Sequence, residues 1–134
     1  MSDFNEKVIR EFRSNQGVVG GQFEGMTLLL LHTRGAKTGQ PRVNPAATIQ
    51  EGEAQIIAAS KAGADSHPDW YYNLESNPDV TVELGPEKYP ARAEITTEPE
   101  RTRLYGKMKE RYPGFAEYEQ KTSRVIPVIK LYRK

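Results

Sequence analysis

The sequence contains no cysteine, which excludes disulfide bonds, zinc–thiolate sites and cysteine nucleophiles. Its two histidines, His32 and His67, lie far apart along the chain and make a poor metal site. The longest apolar stretch, residues 26–31, is interrupted by Thr27 and is far too short to cross a membrane. Because the first residues also lack the charged-then-apolar order of a signal peptide, we expect a cytoplasmic protein.

Neither sign of charge dominates, since 19 Lys and Arg face 18 Asp and Glu for a formal net charge of +1. This balance argues against a general nucleic-acid or acidic-membrane partner, so any positive site must be local. A Ser/His/Asp arrangement, a close carboxylate pair and a nucleotide-binding G-x-G-x-x-G are also absent, and hydrolysis and metal chemistry therefore lack their residues. The length of 134 residues predicts one domain over 1–134. Nothing in the sequence supports peripheral membrane contact or fixes the oligomeric state.

The spacing of apolar residues predicts mostly short strands joined by turns. Strand patterns occupy residues 27–33, 42–50, 54–60, 80–84, 89–95 and 126–132, and helical patterns occupy 4–14, 68–75, 99–112 and 115–123. In the first helix an apolar face comprises Phe4, Val8, Ile9 and Phe12, with a capping-box pattern at Asp3. About six short strands predict a mainly β (α+β) fold, a small antiparallel barrel with flanking helices rather than a doubly wound sheet.

The segment 33–42 has the composition of an anion site. It combines two glycines with the cations Arg34, Lys37 and Arg42. Glycine leaves the backbone free to turn and to offer N–H groups, while Lys and Arg supply charge. The spacing is not that of a phosphate-binding G-x-x-x-x-G-K-T loop, because Ala36 precedes Lys37. A solvated hairpin turn with ordinary surface charges explains the same composition.

Two further segments fit either a binding surface or a simpler structural role. Small residues at 58–63 let a ligand approach the backbone, with Ser60 and Lys61 adding a donor and a charge, although a strand ending in a turn also fits. In 67–74 three adjacent aromatics cannot all face one side of a helix, so at least one faces a cleft or solvent. The first N–H groups of this helix are a possible site for a phosphate or carboxylate. Trp70 and Leu74, four residues apart, suit the core.

The aromatic residues near the C-terminus form a third such segment. Phe115 and Tyr118 are three residues apart and fit one aromatic wall, following Tyr112 and a Pro-Gly break. Packing in the core explains the same spacing.

One order of motifs runs through nearly the whole chain: LLLLHT at 28–33, GAKTG at 35–39, RVNP at 42–45, SK at 60–61, HPDWYYNL at 67–74, NPDVTV at 77–82, TSR at 122–124 and IPV at 126–128. In this order and spacing the chain resembles the deazaflavin-dependent nitroreductase family. The resemblance implies a split β-barrel related to flavin-binding barrels, with coenzyme F420 in a surface groove. It also implies an oxidoreductase that passes a hydride from the reduced cofactor to a small organic acceptor, namely a quinone, a nitro compound or an enone.

The resemblance further implies roles for individual residues. Lys37, Thr38 and Arg42 would hold the phosphate and the oligoglutamate tail. The full implied cofactor set is Ala36, Lys37, Thr38, Arg42, Val43, Asn44, Pro45, Ala46, Ala47, Ala58, Ala59, Ser60, Lys61, Asp69, Trp70, Tyr71, Tyr72 and Asn73. The acceptor would be bordered by Tyr112, Phe115 and Tyr118, with Tyr118 as the first candidate for a catalytic proton donor.

This chain departs from the family pattern at two places. Ala36 stands where the loop commonly has an arginine, which removes one possible contact to the tail. The pair Ala46-Ala47 is smaller than the bulkier pair expected there and suggests a roomier ring pocket. Two alternatives remain open on the sequence: a flavin mononucleotide reductase on the same barrel, and a non-catalytic F420 carrier.

Overall fold

The computed structural model describes residues 3–134, without the side chain of Asp3, so the predicted cap at Asp3 lies outside the described residues. The helices are α1 (Asp3–Ser14), α2 (Asp69–Ser76), α3 (Glu100–Arg111) and α4 (Gly114–Lys121), with single 3-10 turns at Gly21–Phe23 and Lys61–Gly63. The strands are β1 (Leu28–Arg34), β2 (Pro41–Ala47), β3 (Ile49–Glu51), β4 (Ala54–Ala58), β5 (Asp79–Leu84), β6 (Glu87–Ile95) and β7 (Val128–Arg133). No helix of this described part is long and apolar enough to span a membrane.

The seven strands form one antiparallel sheet in the order β2-β1-β5-β6-β7-β4-β3. Its two outermost strands, β2 and β3, are separated in sequence by Thr48 alone, so the sheet curls until its ends meet. This is the antiparallel half-barrel expected of a split barrel, and the predicted fold class is confirmed.

The prediction of one continuous strand over 42–50 is wrong at Thr48, where the chain changes partners. The Thr48 N–H donates to the carbonyl of Thr27 at 2.9 Å, beside β1. Its hydroxyl donates to the carbonyl of Ile56 at 2.9 Å, on β4. Because one residue serves both neighbours, the strand bends there and becomes β2 and β3.

Strand β1 is buried on both faces, which accounts for its run of leucines. Leu29 and Leu31 belong to the core cluster on one face of the sheet, and Leu28 and Leu30 pack under α1 on the other. The apolar face of α1 is confirmed at Val8, Ile9 and Phe12, all buried. Phe4 was wrongly placed on it: that side chain is 50% exposed and lies 6.0 Å from the ring of Phe23 in the following loop.

Helices α3 and α4 cover the outer face of β4 and β7, where Leu104 and Met108 pack with Ile56 and Val128. Helix α2 sends Trp70 and Leu74 into the other cluster, together with Leu31 and Ile57, as their four-residue spacing predicted. The opposite side of α2 lies beside the turn between β1 and β2. The cationic segment 33–42 and the aromatic segment 67–74 meet there.

Candidate cofactor-binding cleft

A cleft of about 700 Å³ lies between the β1–β2 turn, strand β2 and helix α2. Its lining residues are Asn5, Gly35, Ala36, Lys37, Thr38, Arg42, Val43, Asn44, Asp69, Tyr72 and Asn73. Nine of these were predicted as cofactor-binding residues, and the structure brings them together from two separate segments of the chain, 36–44 and 69–73. Asn5 of α1 and Gly35 were missed, and Asn5 carries no sequence signal because nothing in α1 indicates which turn of the helix meets the hairpin.

The β1–β2 turn is closed tightly at its base, so residues 36–38 project from it. The Gly35 N–H donates to the Gln40 carbonyl at 2.8 Å, and the Gly39 N–H donates to the Gly35 carbonyl at 2.8 Å. Gly39 has a φ of +72°, a left-handed conformation that side chains disfavour. Gly39 therefore turns the backbone as the sequence predicted, but the Gly35 and Gly39 N–H groups are used within the turn and are not offered to a ligand.

Asn73 fixes this turn against α2. Its side-chain oxygen accepts a hydrogen bond from the Ala36 N–H at 2.9 Å, and its amide nitrogen donates to the Thr33 hydroxyl at 3.1 Å. Both Asn73 and Thr33 are buried. The sequence pointed to Asn73 as a ligand contact and overlooked Thr33, whereas the structure uses the pair to hold the turn in place.

The cations of the β1–β2 hairpin have no acidic partner in the part of the chain that the structure describes. Arg34, Lys37 and Arg42 are exposed, and none of them forms an ion pair with another residue of the described chain. Arg42 donates only to the side-chain oxygen of Gln40, at 3.4 Å. Other exposed cations of the described chain, such as Lys88, also lack a carboxylate partner, but Lys37 and Arg42 line the same cleft, where an anion would meet both charges.

Strand β2 adds a half-buried apolar surface to the cleft. All five residues from Val43 to Ala47 are partly exposed. Val43 and Asn44 line the cleft, and Pro45, Ala46 and Ala47 continue along the strand away from it. Side chains alternate between the two faces of the strand: Ala46 packs against the cluster that contains Leu29, and Val43 and Ala47 pack against the cluster under α1.

The segment that follows β4 was predicted to complete the groove but does not line the cleft. Ala58 and Ala59 are buried in the core, and Ser60 is nearly so. The Lys61 ammonium donates to the Ser66 hydroxyl at 3.2 Å. Lys61 and Ala62 both take a left-handed backbone, with φ of 47° and 53°.

The three aromatics of α2 separate as the helical geometry predicted. Trp70 is core, Tyr71 is partly buried, and Tyr72 is 44% exposed and lines the cleft. Burial, reinforced by the nearby carboxylate of Glu75, raises the pKa of Tyr71 above its ordinary value.

Of the three predicted acceptor-side aromatics, two belong to the core. Tyr112 is buried, and its hydroxyl donates to the Thr48 carbonyl at 2.8 Å and accepts from the Thr27 N–H at 3.1 Å. Phe115, on α4, is buried against α3. Only Tyr118 keeps exposed surface; its ring packs edge-on against Phe115 at 5.4 Å. Tyr112 also lines a second cleft of about 710 Å³ at the Thr27 and Thr48 end of the sheet.

Comparison with known proteins decides the family. Residues 5–132 match the model of the F420H(2)-dependent quinone reductase family. An F420H(2)-dependent quinone reductase of Mycobacterium tuberculosis strain H37Rv is 38% identical over 127 residues, which cover 92% of this chain and 85% of that protein. The chain belongs to the F420H(2)-dependent quinone reductase family. Membership confirms the predicted deazaflavin-dependent class, the oxidoreductase activity and coenzyme F420 as the cofactor of the family.

Solved structures agree in fold. An F420-H2 dependent reductase, FDR-A, superposes with a TM-score of 0.71 at 37% identity, over 78% of this chain and 92% of that one. The heme storage protein HutZ of Vibrio cholerae superposes with a TM-score of 0.63 at 20% identity, over 97% of this chain and 90% of that one. At that identity the second likeness extends to the fold alone.

Proposed function

We propose that this protein is an F420H2-dependent reductase that uses a quinone as its acceptor and binds the cofactor in the cleft between the first hairpin and α2. The observation that carries the proposal is the pair Lys37 and Arg42, exposed on the cleft and without a carboxylate partner in the described chain. Coenzyme F420 carries a phosphate and an oligoglutamate tail, which require such charges.

The cleft suits the cofactor in size and chemistry. Its volume of about 700 Å³ lies in the range usual for small-molecule and cofactor sites. One end is cationic and hydrophilic, with Lys37, Thr38 and Arg42, and the other is bordered by Val43 and Asn44 of the half-buried strand β2. A ligand with an anionic tail and a flat ring system matches this order.

Each part of the cleft then has a distinct task. Lys37, Thr38 and Arg42 bind the phosphate and the tail through charge-assisted hydrogen bonds. Residues 43–47 support the rings and exclude water from one side, and Tyr72 forms the facing wall. The reduced deazaflavin supplies the hydride when it is bound, so the protein needs mainly to bind and orient. Tyr118 is proposed as the residue that holds the proton for the reduced acceptor. The small organic acceptor and a cytoplasmic location are proposed from the sequence.

The test is a pair of absorbance titrations with F420 and with flavin mononucleotide, followed by F420H2 oxidation with a soluble quinone. We expect tighter binding of F420, weakening as salt rises because exposed charges are screened, and turnover that requires both F420H2 and the quinone. Lys88→Ala, which removes an exposed cation from β6, is the matched control and should bind like the parent. Tighter binding of the mononucleotide would favour a flavin enzyme, and F420 binding without turnover would favour a carrier.

A further inference from the structure

Arg124 has an unusual set of partners for an arginine. It lies just after α4, is partly buried, and forms no ion pair with any carboxylate in the described residues. Instead its guanidinium makes three hydrogen bonds to one connection, the segment between β4 and α2. It donates to the carbonyls of Ala64 and Ser60, both at 2.8 Å, and to Nδ1 of His67 at 2.8 Å.

These contacts fix the chemical state of His67. A guanidinium only donates, so Nδ1 of the imidazole must be its acceptor, and the ring is neutral with its proton on Nε2. The groups that face the ring are Arg124, Glu75, Tyr71 and Tyr72. Burial, followed by the positive charge of Arg124, lowers the pKa of His67 below its ordinary value, against a smaller opposing effect of Glu75.

The same ring connects Arg124 to the cleft. The centroid of His67 lies 4.6 Å from that of Tyr71 and 5.7 Å from that of Tyr72. Tyr72 is the exposed aromatic of the cleft wall, and it meets Tyr71 edge-on at 5.6 Å. The imidazole therefore packs against both tyrosines from a position two residues before α2 begins.

The connection also lies close to α4, which carries Tyr118. At Gly63, with a φ of +85°, an added Cβ would lie 2.9 Å from the Cβ of Lys121 and 3.0 Å from the carbonyl oxygen of Tyr118. Two left-handed residues precede this glycine, and such backbone is retained only where surrounding contacts hold it. Arg124 supplies three of those contacts.

We propose that Arg124 is a positioning residue of the cofactor cleft: it clamps the β4–α2 connection through Ser60, Ala64 and His67, and so sets Tyr72 on the cleft wall relative to Tyr118 on α4. Arg124 does not line the cleft, so it acts through these residues rather than on the ligand. The inference rests on the proposed function for its kinetic part and on the hydrogen bonds alone for its structural part.

The first experiment compares Arg124→Ala, Arg124→Lys and Arg124→Gln with Arg92→Ala, an exposed arginine on β6 paired at 3.7 Å with Asp79. We expect the Arg124 variants to lose roughly ten- to a hundredfold in kcat/KM for quinone reduction, because a misplacement of about 1 Å can cost ~10²-fold. Lysine should not rescue, since a single ammonium cannot reach three acceptors at once. Millimolar guanidinium should recover much of the loss in Arg124→Ala, and Arg92→Ala should behave like the parent.

The second experiment changes the acceptor. His67→Asn keeps a side-chain oxygen near the position of Nδ1, whereas His67→Leu removes the acceptor. We expect the asparagine variant to stay within a few-fold of the parent in kcat/KM and the leucine variant to resemble Arg124→Gln. Loss of the same size in both His67 variants would contradict a role through the Arg124 hydrogen bond.

A spectroscopic measurement separates this inference from the proposed function. Nitrogen-15 NMR of the His67 ring should show an Nε2–H tautomer in the parent and a titration midpoint that moves up in Arg124→Gln. If the parent fails to bind F420 while this behaviour is observed, the proposed function is wrong and the positioning contact stands. Arg124 variants with the parent's kinetics and an unmoved His67 midpoint would overturn the inference. So would variants that only melt earlier while their folded fraction keeps the parent's kcat and KM.

Discussion

Replacing Asn73 with alanine removes the side chain that joins the cationic turn to α2. Two hydrogen bonds are lost, to the Ala36 N–H and to the Thr33 hydroxyl. The Ala36 N–H lies at the surface and can be rehydrated, but Thr33 is 4% exposed and loses a partner it cannot replace from solvent. A net 0.5–1.5 kcal/mol for each bond, with the higher cost of the buried hydroxyl, gives a destabilisation of about 2 kcal/mol.

Urea unfolding measures this loss. With a slope of about 2 kcal/mol per molar, a loss of about 2 kcal/mol moves the midpoint by roughly 1 M. Asn77→Ala is the matched control, because it removes an exposed hydrogen bond to the Asp79 N–H beyond the same helix. Its effect on stability should be smaller, and its effect on F420 affinity negligible.

A second substitution at the same position separates stability from binding. Asn73→Asp keeps an acceptor for the Ala36 N–H and can accept from the Thr33 hydroxyl, so stability should fall less than in Asn73→Ala. It also places a negative charge on the cleft wall, opposite an anionic cofactor. We therefore expect Asn73→Asp to bind F420 more weakly than Asn73→Ala. The reasoning fails if the alanine variant unfolds at the parent's urea concentration, or if the aspartate variant binds F420 as tightly as the parent.

Three further predictions follow from the same structure. Lys37→Ala and Arg42→Ala should each weaken F420 binding by about 1–3 kcal/mol in titrations at low salt, with a smaller effect on turnover at saturating cofactor; unchanged affinity in both would leave the loop an ordinary hairpin turn. Tyr118→Phe should lower quinone turnover by about 10²–10⁴-fold if its hydroxyl donates the proton, with F420 affinity spared, and unchanged rates would assign the proton to solvent. Hydrogen bonds from Arg13, then His32, hold the pKa of Glu83 below its ordinary value, so its contribution to stability is present above the ordinary glutamate pKa and is lost as pH falls through the lowered one. In thermal unfolding measured against pH, Glu83→Gln should therefore lose less stability than the parent as the pH falls. A loss as steep as the parent's would show that Glu83 does not cause it.

The first hairpin was predictable because its signals are local. Two glycines, a run of leucines and a return strand lie within twenty residues, and neighbouring residues determine the turn. The break at Thr48 was not predictable in this way. Threonine is a good strand former, and the bend depends on the carbonyls of Thr27, just before β1, and of Ile56, in β4.

The cleft was predictable in composition but not in its limits. Charge indicated Lys37 and Arg42, and the three adjacent aromatics at 70–72 indicated that at least one of them faces a cleft or solvent, without distinguishing Tyr72 from the others. The role of Tyr112 was not predictable, because an aromatic residue near a helix end gives the same sequence pattern whether it faces a ligand or the core. Its hydroxyl bonds to residues 64 and 85 positions away, and only the folded chain brings them together.

The ligand-binding residues and the positioning residues differ in burial because the cofactor, and not the protein, carries out the hydride transfer. Because the deazaflavin carries the hydride, the protein is not required to bury a strongly perturbed acid or base. The residues that meet the ligand can stay exposed, and an unpaired exposed cation such as Lys37 costs little before the cofactor arrives. The residues that position them, Asn73 and Arg124, must instead be held by several partners, and their hydrogen bonds point into the protein. Substitution of a ligand-contacting residue should therefore change cofactor affinity and leave folding intact. Substitution of a positioning residue should change both cofactor affinity and stability. A variant of Lys37 that unfolds early, or a variant of Asn73 that alters affinity alone, would contradict that division.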